Sequence, residues 1–94
     1  MRLGDICEFK SNCKDCDFWI IRKGSENVIG KPVKDFSSEY IGVKIIDENV
    51  VVPSFLFYYF QYLHMNGTFK HLAHGTLSLK NISISDIKNI PFGQ

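Results

Sequence analysis

The stretch VPSFLFYYFQYL, residues 52–63, constrains this chain more than any other part of it. It carries no charged side chain, and Phe55, Phe57, Tyr58, Tyr59, Phe60, Tyr62 and Leu63 put apolar groups on most faces of a helix. A helix that is apolar nearly all round is expected to be largely buried. Pro53 and Ser54 suit its start: proline lacks the N–H that a first turn leaves unpaired, and a serine oxygen can accept one. Asn66 and Gly67 suit its end, because both tolerate left-handed backbone geometry. The expected span is 54–65, and the run is too short to cross a bilayer.

A core helix needs a partner surface, and the rest of the chain reads as strands. Residues 18–21 are aromatic or β-branched and are closed by Gly24, which predicts a first strand over 17–24. The segment YIGVKII at 40–46 predicts a second, followed by a turn at DEN and a short strand from Val50. Gly24, Gly30 and Pro32 frame a tight turn and another short strand. Near the start, Leu3, Ile6 and Phe9 recur with a period of three, which predicts a helical turn. FKHLAHGT is a short segment of either type. Ser83 or Ser85 caps one more helical turn in SDIKN, IPF is a strand or extended tail, and Ile82, Ile84, Ile87 and Ile90 seat that end on the core. The fold class expected is α+β, a small mixed or antiparallel β-sheet packed on one long buried helix.

Bulk properties narrow the function classes. At 94 residues, with 45% hydrophobic and 14% aromatic side chains, the chain is globular and holds one core, taken as a single domain over 1–94. A formal charge of +1 gives no global pull toward nucleic acid or membrane, so any such surface must be local. MRLGDICEFK carries charge where an export leader is apolar, and the cysteine count of 3 is odd. Together these predict reduced thiols and a cytoplasmic protein with no membrane contact.

Catalytic and metal chemistry find little support. Cys13 and Cys16, with His71 and His74, have the spacing of paired zinc ligands, but the separation of the pairs matches no standard finger. Unbound surface cysteines are the simpler reading, and no metal or cofactor is assigned. A Cys–His nucleophile pair lacks an orienting group, and the carboxylates are scattered. No enzyme is expected.

Two short cationic segments remain. Arg22, Lys23, Lys31 and Lys34 surround a strand-turn-strand with few opposing charges. Lys70, His71, His74, Thr76 and Lys80, joined by Ser78, follow the core helix. Cations and small donors near glycine corners suit phosphate contacts, whose strength falls steeply with salt. Asn27, Asn81 and Gln94 are the amides able to read adenine edges. The competing reading is the solvated rim of a small domain. Base stacking by the Phe/Tyr row is the lesser reading of that row, since such a row is more often core.

The order of these pieces resembles the target-recognition domains of type I restriction-modification specificity subunits. The segments that carry the likeness are RLGDI, DFWIIRKGSENVIGKPV, VVPSFLFYYFQYL and LAHGTLSLKNISISDIKNIPF. Gly24, Gly30, Leu56, Tyr58, Tyr59, Ala73, Gly75, Thr76, Asp86, Ile87, Ile90 and Pro91 stand at the positions of that pattern. The family's domain is longer, with base-reading strands and loops where only KSNCKDC lies here, and a long spacer helix normally follows it. The resemblance therefore implies a minimal, truncated recognition-domain core that is a non-catalytic binder of double-stranded DNA. The alternative it implies is an interaction element, or an inhibitor, that binds subunits of a restriction-modification or phage-defence complex. A homodimer through an exposed strand edge is the third expectation.

Overall fold

The computed structural model describes residues 1–76 and 78–92. The chain opens with a helical turn α1 (Leu3–Ile6) that runs directly into strand β1 (Cys7–Ser11). Strands β2 (Phe18–Ile20), β3 (Lys23–Gly24), β4 (Pro32–Val33) and β5 (Ile41–Ile45) follow. Helix α2 (Pro53–Met65) and the short α3 (Thr68–Leu72) come next, then β6 (His74–Gly75), β7 (Lys80–Asn81) and α4 (Ile84–Lys88). The class is α+β, as expected, but the strands form two antiparallel sheets: β1-β5-β2-β4 and β3-β7-β6.

The first sheet is the floor of the core. Phe9 of β1 and Phe18 of β2 both lie opposite Val43 of the central strand β5. Facing residues on neighbouring strands share one side of a sheet, so the three stack into one apolar patch. Phe60 of α2 sits on that patch, its ring 5.5 Å from Phe18 and 6.3 Å from Phe9, and continues to Phe69 of α3 at 5.8 Å. Rings at such offsets contribute beyond their buried area. Isoleucines 82, 87 and 90 are buried and Ile84 is partly so, which seats the C-terminal turn on this core as expected.

The long buried helix is corrected by the structure. The helices are short, and α2 buries only Leu56, Phe60 and Leu63, a stripe at i, i+4 and i+7. A sheet on one side can cover only one such stripe. Phe55, Tyr58, Tyr62 and Met65 therefore point outward, Tyr58 being 64% exposed.

The strand expected from Val50 also does not form. Asp47 Oδ1 accepts from Asn49 N at 2.9 Å and Asp47 O accepts from Val50 N at 3.0 Å, so the chain turns there instead.

The expected strand over 17–24 is cut in two, and the cut positions the second sheet. At Ile21 the backbone leaves the ladder: its N–H donates to Lys31 O at 3.1 Å and its carbonyl accepts from Gly30 N at 2.9 Å. Arg22 O then accepts from Ile82 N at 3.1 Å, drawing β3 toward the C-terminal half. That half is fixed to the start of the chain by Leu3 N donating to Ile90 O and Phe92 N donating to Met1 O, both at 2.9 Å. Ser83 caps α4, its Oγ accepting from Asp86 N at 3.1 Å.

Candidate nucleic-acid interface

The second sheet unites the two cationic segments that lie far apart in the sequence. Lys23 of β3 and His74 of β6 each stand opposite Asn81 of the central strand β7. The neighbouring row is Gly24, Lys80 and Gly75. Because side chains alternate along a strand, the first row faces one side and Lys80 the other. One face thus presents a lysine, a carboxamide and an imidazole side by side, all three exposed. The strands are only two residues long, so two positive-φ glycines, Gly24 and Gly75, set their bends.

Each expected residue has a distinct place. Arg22 lies just before β3, its Nη1 donating to Ser11 Oγ at 3.2 Å. His74 Nε2 lies 3.2 Å from Asp86 Oδ2. Thr76 Oγ1 accepts from Leu79 N at 3.3 Å, so this hydroxyl braces the corner after β6. Lys80 is half-buried, with Nζ 3.8 Å from Glu26 Oε2, and the other oxygen of the same carboxylate lies 3.1 Å from Lys70 Nζ. One glutamate therefore holds two of the expected phosphate contacts.

The remaining three sit elsewhere. His71 lies on α3 and, with Asp86, lines a separate depression beside Pro91. Lys31 leads into β4, the edge of the first sheet, and is exposed. Lys34 lies past β4 with its ammonium 5.1 Å from the Phe57 ring centre, in a groove shared with Asp17 and Tyr58. The nine residues thus fall into a main group on or beside the second sheet and outliers on α3 and around the β4 edge.

The paired Cys and His residues form no common site. Cys13 and Cys16 are joined as a disulfide, with their Cα atoms 5.9 Å apart. This corrects the expectation of reduced, unbound surface cysteines. The bridge fits because β5 carries Gly42 beneath it, where a side chain would strike Cys16. Trp19 Nε1 donates to Cys13 O at 2.6 Å and closes the same turn. Among the described residues, no three His, Cys, Asp or Glu side chains gather as a metal site. Cys7 is buried, and desolvation, followed by the charge of Asp17, pushes its thiol up to about 12.

Two contributors escaped the sequence reading. Ser38 and Glu39 line a depression with Arg22, Lys23 and Asn81. They reach it because Ser37 Oγ accepts from Glu39 N at 3.2 Å and Ser37 O from Tyr40 N at 3.1 Å, which turns the chain before β5. No periodicity marks a loop for this role. Of the three amides, Asn81 is in the row, Asn27 lies by Glu26 and Lys70 in another depression, and Gln94 lies outside the described residues.

No protein-family model and no curated protein matches this chain. Among solved structures, the type I restriction-modification system S subunit from M. genitalium is similar in fold, with a TM-score of 0.72 at 16% identity. The similarity covers 96% of this chain and 32% of that one, so this chain spans about a third of that protein's length.

Proposed function

We propose that this chain is a non-catalytic module that contacts duplex DNA through the face of the β3-β7-β6 sheet. The observation that carries the reading is the row Lys23–Asn81–His74, which brings two cationic segments far apart in the sequence onto one exposed face. Arg22 flanks the row, and Lys23 is among its exposed members. With a formal charge of +1 for the whole chain, attraction to DNA must come from such a local arrangement. The likeness in fold to a restriction-modification S subunit, together with the ordered resemblance of RLGDI, DFWIIRKG, FLFYYF and LAHGT, supports the same reading. Titration of a labelled duplex at low salt tests it: binding that weakens as salt is added is the expected result, and no binding removes the proposal.

A second reading rests on a different observation. Phe55, Tyr58, Tyr62 and Met65 form an uncharged outer face on α2. That face suits a protein subunit of a restriction-modification or defence complex better than it suits DNA. Here Tyr58→Glu with Tyr62→Glu abolishes assembly with such a complex and leaves duplex affinity intact.

A further inference from the structure

The depression formed by Arg22, Lys23, Ser38, Glu39 and Asn81 is chemically mixed: two cations, a hydroxyl, a carboxylate and a carboxamide. Glu39 makes no ion pair with any described residue. A bare phosphate suits this lining poorly, because the carboxylate opposes it. A ligand edge that both donates and accepts hydrogen bonds suits it well.

Asn81 has the properties of a reader. Its backbone is held between ladders on both sides, so the side chain's root is fixed. Its carboxamide makes no hydrogen bond to any described residue, whereas Asn66 and Asn89 spend theirs on Thr68, Arg2 and the carbonyl of Ser85. A placed but unengaged amide loses little freedom on binding.

The dimensions agree. Lys23 and Asn81 stand on two neighbouring strands about 4.8 Å apart, and a two-stranded ribbon is a shape that a major groove about 12 Å wide admits. In that groove adenine offers an acceptor and a donor that one carboxamide meets together, and a carboxylate accepts from the amino group of cytosine.

Resting on the DNA-contacting reading, we propose that this depression reads base edges in the major groove. Asn81 specifies adenine, Glu39 keeps phosphate off the floor, and Arg22 and Lys23 hold the flanking backbone. One specificity determinant thereby lies on the smaller sheet.

Selection from a duplex pool randomised at its centre tests this, using the wild type, Asn81→Ala and Lys23→Ala. The wild type enriches adenine at one position. Asn81→Ala loses that enrichment, about tenfold or more in discrimination. Lys23→Ala weakens all sequences alike and keeps the preference. Pool binding without adenine enrichment, or enrichment that survives Asn81→Ala, overturns the base-reading proposal and leaves DNA contact standing. Failure of the wild type to bind the pool overturns the DNA-contacting reading itself, and this proposal falls with it.

Discussion

The ring of Phe69 occupies the space that a side chain on Gly30 would need, and Gly30 holds φ +80°. Helix α3 is therefore packed onto the turn that breaks the β2–β3 segment, and that break carries Lys23 into the second sheet. Gly30→Ala combines a left-handed backbone penalty of about 1–2 kcal/mol with overpacking of similar size. A fall in the urea midpoint corresponding to about 2–4 kcal/mol is expected, and a change below about 0.5 kcal/mol contradicts the packing described.

The one-sided burial of α2 predicts opposite outcomes for two neighbouring aromatics. Phe60 is 0% exposed and touches both the sheet and α3, so Phe60→Ala costs about 3–5 kcal/mol. Tyr58 faces outward, so Tyr58→Ala stays within about 0.5 kcal/mol of the wild type. Thermal melts of the two variants measure this; similar losses in both point to a helix buried all round.

Cys7 gives a pH prediction. Its thiol is pushed up to about 12 in the fold, above the usual value near 9. A raised value means the folded state favours the protonated form, so this contribution to stability is fully present below about pH 9. It is lost as pH rises from there toward about 12. Alkylation of the folded protein at pH 8 should leave Cys7 unmodified, and labelling should appear on unfolding in urea. Ready labelling under native conditions contradicts the burial.

Glu26 holds both Lys70 and Lys80, and Lys80 stands on the side of the second sheet away from the Lys23–Asn81–His74 row. Glu26→Gln removes a negative charge and releases two cations. Because the released cations stand away from the proposed contact face, duplex affinity at low salt should stay within about twofold, with an unchanged salt slope. A larger rise with a steeper slope contradicts the assignment of the contact to the Lys23–Asn81–His74 face.

Much of this architecture was legible in the sequence, because it rests on local chemistry. Pro53, the Asn66-Gly67 end of α2, the Ser83 cap and the isoleucine stripe act through neighbours a few residues away. Burial of α2 was overread because composition counts apolar faces but does not say how many are covered; one sheet covers one stripe. The strand over 17–24 was joined in the sequence because its β-branched run is continuous, whereas its break is imposed by Gly30 and Ile82 from elsewhere. The candidate site was legible as two cationic segments, but their union depends on pairings between β3 and β7 that no local pattern reports. The bridge between Cys13 and Cys16 escaped for the opposite reason: the odd cysteine count and the charged opening MRLGDICEFK argued about compartment, while a turn over Gly42 decides geometry.

The central claim is that the β3-β7-β6 face, and not cationic residues in general, meets duplex DNA. Anisotropy of a labelled duplex over a salt series, for the wild type, Lys23→Ala and Lys34→Ala, tests it most directly. Lys34 lies against Phe57, away from the second sheet, and serves as the control cation. The logarithm of the wild-type binding constant should fall linearly with the logarithm of salt, with a slope shallower by about one in Lys23→Ala and unchanged in Lys34→Ala. Equal losses in the two variants, or no wild-type binding at low salt, contradict it.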